Sequence, residues 1–265
     1  MNIAVLIKQV PRTDKIKIDK EKGTLIRKGV ESILNPYCEY ALEAALSIKK
    51  QLKNAKITVI TMGPPSAKAV IERAIALGAD DGVVLSDRAF AGSDCRATAY
   101  ALACGIKKAC GTPAIILCGR QAIDGDTAQV PGETAQMLGI PMIPYITEIV
   151  DISEKSITVK SEFDNKELTL SADFPVLLTV RKGSNNRRMP SLNDAFRAFS
   201  YEPKIISADD AGCDKEKLGL SGSPTRVVKI VPVAAKGNCR FFNSGNCAEG
   251  FKEIGKVLEK VVSSN

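Results

Sequence analysis

The chemistry open to this chain is bounded first by what it lacks. None of its 265 residues is a histidine, so Ser-His-Asp and Cys-His catalysis and imidazole metal ligation are excluded within the chain. Its eight cysteines, Cys38, Cys95, Cys104, Cys110, Cys118, Cys213, Cys239 and Cys247, contain no C-x-x-C pair. The spacings usual for zinc or iron–sulfur sites are therefore missing. No catalytic side chain and no metal ligand set is expected. Cys104 and Cys118 stand among apolar neighbours and read as small core residues, and free thiols in a reducing compartment are expected. The stretch with the most concentrated hydrogen-bonding chemistry is residues 115–134, IILCGRQAIDGDTAQVPGET. It opens as a buried strand, breaks at Gly119 and resumes an apolar helical pattern at Thr134. A polar loop between a strand and a helix start presents free backbone N–H groups and a helix-end dipole, which attract phosphate. Asp124, Asp126, Thr127 and Gln129 have the side chains to reach ribose hydroxyls or an adenine edge. A capped, solvent-facing βα loop is the other reading of the same residues.

The elements needed to position that loop are legible around it. Residues 3–10 form a continuous apolar run ending at Pro11, as in a strand buried on both faces. Residues 16–26 alternate around Lys22-Gly23 as a short hairpin. Asn35-Pro36 starts a helix over 37–53, Pro36 fitting the first helical position. A strand at 57–62 is closed by Gly63-Pro64-Pro65. Ser66 is the expected cap of a helix over 67–77, and a third strand spans 83–85. Ser93 or Asp94 is expected to cap a helix running to about Lys108, ahead of the strand at 115–117. This β-α-β-α-β-α-β-α order predicts an α/β fold, a doubly wound, mostly parallel sheet of the adenine-nucleotide-binding, Rossmann-like kind. The loops after Leu6, Ile60, Leu85 and Cys118 then gather on one edge as a ligand crevice, with Gly63, Gly92 and Gly119 allowing close backbone approach.

Beyond Pro144 the pattern changes. Strands at 146–152, 156–162 and 167–171 read as a small antiparallel excursion, and 176–180 as a buried strand completing the sheet. Residues 181–200, RKGSNNRRMPSLNDAFRAFS, are a basic loop leading into a short helix. Met189 and Leu192 in it are either ordinary anchors or an exposed apolar docking element. Residues 204–225 and 234–245 look loosely structured, a last strand is expected at 227–231, and 249–262 is an amphipathic helix. The expected division is an α/β domain over 1–200, including the docking loop 181–200, and a C-terminal arm and helix over 201–265.

Composition is that of a globular protein, 45% apolar and 25% charged. The net charge of +7 is spread as isolated Lys and Arg residues, which fits an anionic ligand or acidic partner and a solvated surface. With five tyrosines, no tryptophan and no aromatic-basic interleaving, nucleic acid is not an expected partner. No apolar run approaches the ~20 residues that span a bilayer, and the start enters a strand directly with no leader pattern. A cytoplasmic protein is expected.

The loop Gly119-Arg120-Gln121-Ala122-Ile123-Asp124-Gly125-Asp126 resembles the signature G-[KR]-Q-A-I-D-x-D of the small (β) subunit of electron-transfer flavoproteins. Four further segments agree in order: Lys8-Gln9-Val10-Pro11, Asn35-Pro36, Met62-Gly63-Pro64 and residues 221–227, SGSPTRV. The resemblance covers nearly the whole chain. It implies a heterodimer with an α subunit that carries the electron-transferring FAD, and an adenine nucleotide in this chain. That nucleotide is AMP in housekeeping members and a second FAD in electron-bifurcating ones. Asp126-Thr127-Ala128-Gln129-Val130 stands where AMP-binding members have D-C-N-Q-T. Residues 86–94, SDRAFAGSD, are similar to the S-D-R-A-F-[AG]-G-[AS]-D loop of the bifurcating branch. In such proteins NADH reduces the β-bound FAD. One electron goes to ferredoxin or flavodoxin, the other through the α-subunit FAD to a dehydrogenase.

Carried over by motif, Leu6, Asn35, Met62, Gly119, Asp124, Asp126, Thr127, Ala128, Gln129, Val130 and Thr134 would line the nucleotide site. Arg88, Phe90 and Gly92 would lie near the flavin ring or its NADH, and Met189 and Leu192 would dock the partner. Each has loop packing as its plain alternative, Phe90 most of all. Three segments depart from the family pattern. Val130-Pro131-Gly132 replaces V-G-P, residues 185–189 (NNRRM) replace N-E-P-R-Y, and residues 196–201 (FRAFSY) replace a Lys-rich tail. The altered flanks of Leu192 point to a specialised dehydrogenase rather than an acyl-CoA dehydrogenase. A structural AMP in a simple shuttle, or a nucleotide-sensing binding protein, are the alternatives. An ATP-cleaving enzyme of similar fold would want an S-G-G-x-D-S loop where Lys8-Gln9-Val10-Pro11 stands.

Overall fold

The computed structural model describes residues 1–12, 17–19, 24–26, 31–52, 54–164, 166–228, 241–243 and 245–263. The chain divides into Met1–Lys229 and Ile230–Asn265.

The first unit is built on the apolar runs. Strands β1 (Asn2–Leu6), β6 (Lys56–Met62), β7 (Asp81–Leu85), β8 (Ile115–Gly119) and β12 (Val176–Val180) are almost wholly buried, as a parallel sheet covered on both faces requires. The full sheet has nine strands in the order β11-β10-β9-β12-β8-β1-β6-β7-β13. Here β9 is Met142–Ile152, β10 Ser156–Phe163, β11 Lys166–Asp173 and β13 Lys204–Ile206. Every pairing from β9 to β13 is parallel, and β9-β10-β11 is the antiparallel excursion.

Successive strand residues point to opposite faces, and two cores result. Ile3, Val5, Ile57, Val59, Ile115 and Leu117 pack with helices α1 (Pro36–Gln51) and α2 (Lys68–Ala76). Ala4, Leu6, Ile60, Ile116 and Cys118 pack with α3 (Cys95–Cys110) and α4 (Val130–Leu138). The winding reverses between β1 and β8, which is where an open α/β sheet offers a crevice beyond its carboxyl edge.

Several local expectations are corrected. The run 3–10 is not one strand. Ile7 N–H donates to Ile60 O, the Lys8 carbonyl then accepts Asn35 N–H, and the chain leaves the sheet to pair β2 (Gln9–Pro11) with β5 (Ser32–Leu34). Ser66 does not cap a helix: Pro64-Pro65 impose a 3-10 turn, and α2 starts at Lys68 without a side-chain cap. Helix α4 starts at Val130, with Pro131 in the first turn, rather than at Thr134. Residues 204–225 are ordered: β13 extends the sheet beside β7, and α6 (Gly219–Gly222) follows. Strand β12 lies inside the sheet, between β8 and β9. The expected hairpin appears as β3 (Lys17–Asp19) paired with β4 (Thr24–Ile26), its tip lying outside the described residues, as does most of the strand expected at 227–231.

Helix α5 (Leu192–Phe199) is capped by Ser191, whose hydroxyl accepts Asp194 N–H at 3.1 Å. The second unit contains helix α7 (Cys247–Val262), with Phe251, Ile254, Leu258 and Val262 exposed along it. No helix among the described residues is long and apolar enough to cross a membrane.

Candidate functional site

The loop after β8 is held from two sides. Asn35, buried at the start of α1, donates through Nδ2 to Gln121 O at 2.9 Å and accepts Ile123 N–H on Oδ1 at 3.3 Å. Lys8, just past β1, pairs with Asp124 at 2.7 Å, so the tie spans the reversal point between β1 and β8. Both side chains are partly exposed, which limits that ion pair to about 0.2–1 kcal/mol. It fixes register more than stability. Asp126 accepts from the Gln121 amide, and its N–H reaches Ala122 O at 2.9 Å. Asp126 and Ala128 both adopt left-handed backbone, φ 56° and 55°. Such geometry costs a non-glycine residue about 1–2 kcal/mol, and left-handed backbone outside glycine is the kind of strain that gathers at functional sites. Asp124, Asp126, Thr127 and Gln129 are exposed.

A second set of loops meets this one at Asp94 and Cys95. Asp94 caps α3 by accepting Ala97 N–H, and it also accepts the Thr225 N–H and hydroxyl at 3.0 and 2.8 Å. Its own N–H donates to Ser223 Oγ at 2.8 Å. Burial pulls the Asp94 carboxyl upward, but the donors from Ala97 and Thr225 outweigh it and hold the group below the usual carboxylate range. Cys95 Sγ reaches Thr127 Oγ1 at 3.3 Å. Segments 86–95, 124–130 and 219–226 thus converge. Beside them Arg88, Lys215 and Arg226, with Gly219, Leu220 and Ser221, line an open cleft of about 490 Å³. On the α4 side, Glu133 Oε2 is buried with no hydrogen-bond partner among the described residues, and burial with the Asp94 charge raises its carboxyl.

The residues expected in the site are placed unequally. Arg88 is exposed in the cleft. Gly92, at φ 76°, lies under Leu220, where an added Cβ would sit 2.6 Å from that side chain. Gly119 meets a packing demand: a Cβ there would meet the Tyr37 carbonyl carbon at 2.6 Å, so the glycine lets β8 pass the first turn of α1. Leu6 and Met62 end β1 and β6 and pack on the α3–α4 core. Phe90 is buried in the same core. Val130 opens α4, and Thr134 is fully buried with its hydroxyl donated to Val130 O at 2.7 Å. Lys8, Asp94, Cys95, Lys215, Ser223, Thr225 and Arg226 were not singled out as site residues from sequence. For all but Lys215, which no motif marks, the signal was their presence in or next to the segments 8–11, 86–94 and 221–227.

Residues 185–201 form a second surface. Asn185 Nδ2 donates to Tyr40 O at 3.0 Å, Arg187 pairs with Glu39, and Arg188 grips buried Glu43 through Nε and a terminal nitrogen, both at 2.8 Å. Burial is outweighed by this pairing, which pushes the Arg188 guanidinium up. Arg197 on α5 donates to Ile75 O and Ala79 O at the end of α2, and the Tyr201 hydroxyl donates to Asp81 at 2.6 Å. The backbone is clamped, while Met189, Leu192, Phe196 and Phe199 stand out, Phe199 at 95% exposure. The two phenylalanines extend the apolar surface expected from Met189 and Leu192 alone.

A doubly wound sheet with a pinned polar loop at its reversal point and a cation-lined cleft alongside defines an open α/β protein of the kind that takes ligands at that crevice. Residues 22–204 match the electron transfer flavoprotein domain family. The chain is 47% identical over 237 residues to the electron transfer flavoprotein subunit beta of Clostridium acetobutylicum, covering 89% of this chain and 90% of that protein. It is 43% identical over 237 residues to the caffeyl-CoA reductase-Etf complex subunit CarD of Acetobacterium woodii, with the same coverages of 89% and 90%. It is also 43% identical over 242 residues to protein FixA of Azorhizobium caulinodans, covering 89% and 86%. The chain belongs to the electron transfer flavoprotein beta-subunit family.

Proposed function

We propose that this chain is the nucleotide-binding subunit of a heterodimeric electron-transfer flavoprotein that holds FAD along the crevice edge. In the assembled heterodimer, electrons from NADH pass by way of this site to the FAD of an α subunit and a dehydrogenase, and to a low-potential acceptor such as ferredoxin or flavodoxin. The observation that carries the reading is the convergence of segments 86–95, 124–130 and 219–226 at Asp94 and Cys95, with the cationic cleft beside them. A mononucleotide needs only the loop after β8. A dinucleotide also needs room and positive charge for its other half, and Arg88, Lys215 and Arg226 supply both.

The donor set fits the group. Asp124, Asp126, Thr127 and Gln129 offer acceptors and donors for hydroxyls, the three cations offer charge for a pyrophosphate, and α3 and α4 present their N-termini. When bound, flavin supplies the electron chemistry that no side chain of this chain provides. The chain's own residues bind and orient. Asn35 and Lys8 fix the loop, Asp94 ties the cleft wall to α3, and Leu6 and Met62 close the apolar floor. By its name, the relative CarD works in a complex with a reductase. We carry over that general arrangement, with Leu192, Met189, Phe196 and Phe199 contacting a specialised dehydrogenase and the exposed stripe of α7 contacting the α subunit. The test is the nucleotide released on denaturing the co-expressed heterodimer. FAD without AMP is expected, and Arg88→Ala and Arg226→Ala should each weaken FAD retention about tenfold, the worth of one charge-assisted contact. Stoichiometric AMP, insensitive to both substitutions, would instead mean a structural nucleotide in a simple shuttle.

A further inference from the structure

The cleft beside Asp94 carries a large apolar side chain to which no role has yet been given. Leu220 is 58% exposed and lines the cleft together with Arg88, Arg226 and the small residues Ala89 and Ala91. The other large apolar residues nearby are not available to a ligand: Leu218 is buried, and so is Phe90 within the α3–α4 core. Leu220 is also held in place. Gly219, at φ 58°, runs so close to the loop 86–91 that an added Cβ would sit 2.5 Å from Ala89 O, and its N–H donates to Ser93 Oγ at 3.1 Å. Beneath Leu220 lies Gly92, where an added Cβ would stand 2.6 Å from the Leu220 Cγ. Backbone without side chains on both sides lets the leucine rest on the loop, and the Gly222 N–H closes the turn on Leu218 O at 2.9 Å. Lys215 of the same cleft is engaged by Asp209 at 2.9 Å. A fixed apolar shelf in one cleft with guanidinium groups suits a ligand that joins a flat ring to an anionic linker.

We infer that Leu220 is a specificity-determining residue of this site: it seats the second ring system of a dinucleotide and so favours FAD over an adenine nucleotide that has no such ring. The inference rests on the FAD reading above and adds to it the residue that tells the two kinds of nucleotide apart. Covering the leucine with a ring removes apolar surface of both from water. A nucleotide that ends at its phosphates gains nothing from the shelf, and its affinity is set by the loop after β8 and the cations.

The test is isothermal titration of the co-expressed heterodimer, stripped of the nucleotide held by this chain, with FAD and with ADP. ADP shares the adenosine pyrophosphate of FAD and lacks its flavin, so it also reports whether the site is folded. Leu220→Asn, close in size and polar, should bind FAD about tenfold more weakly and ADP within about twofold of the wild type. Leu220→Met keeps an apolar shelf and should return FAD affinity to within about threefold of the wild type. Equal FAD affinity in the wild type and Leu220→Asn would overturn the inference and leave the FAD reading standing. A loss shared equally by FAD and ADP would overturn it as well, because it would mark a general effect on the site. A wild-type site that takes ADP as tightly as FAD would defeat the FAD reading itself, and the inference with it.

Discussion

At the scale of single residues, Asp94 concentrates the most connections. It caps α3 and takes two hydrogen bonds from Thr225. Asp94→Ala should lower stability by about 1–2 kcal/mol at pH 7 and free residues 223–226, read by denaturant melts and by hydrogen exchange at Thr225. Because the folded-state carboxyl sits below its unfolded value, its contribution is full above pH ~4 and is lost as pH falls through the folded value. The gap between the wild type and Asp94→Ala should therefore narrow as pH falls through that folded value, and a gap that stays constant through the acid range would refute the assignment. Gly119→Ala should cost at least about 2 kcal/mol, since the new methyl meets Tyr37 backbone rather than a flexible side chain. At this scale the sequence was informative about residue types and silent about partners. The strand–loop–helix wording marked Asp124 and Asp126 as available groups, but nothing local tells that Lys8, 116 positions away, holds Asp124. Nor does it tell that Thr134 spends its hydroxyl inside α4.

At the scale of elements, the N-terminal half of α1 serves two segments. Asn35, its N-cap, holds the loop after β8, and Glu39, Tyr40 and Glu43 hold residues 185–188. Of the departures from the family pattern at 185–189, Arg187 contacts α1 through Glu39, whereas Asn185 and Arg188, which also contact α1, keep the pattern's residues. Arg188→Ala leaves Glu43 without its bidentate partner and should cost about 1–3 kcal/mol in thermal or denaturant melts. Arg188→Lys should recover little, because an ammonium cannot make the fork. Leu192→Ala and Phe199→Ala touch little of the fold. They should leave melting unchanged while lowering the rate of electron delivery to the dehydrogenase about tenfold or more, as expected of apolar anchors. Long apolar runs such as 57–62 and 115–117 read correctly because burial on both faces leaves no polar alternation to misread. The edge strand β13 did not, being three residues with one lysine. Ser66 misled because two prolines ahead of it impose a tighter turn than a capped helix start.

At the scale of the molecule, the nine-stranded sheet brings residues from positions 8, 35, 94, 124 and 225 to one edge, where the winding reverses. That edge is where the flavin is proposed to sit, and three cations of the net +7 charge line its cleft. The fold class was legible because the βα alternation runs through the first half of the chain. The interior place of β12 was not, since strand order depends on long-range pairing that no local pattern encodes. The most direct measurement is an anaerobic NADH titration of the co-expressed αβ heterodimer with its flavin counted. The account predicts two FAD per heterodimer, bleached by NADH. One FAD and one AMP, with absorbance unchanged on adding NADH, would contradict it.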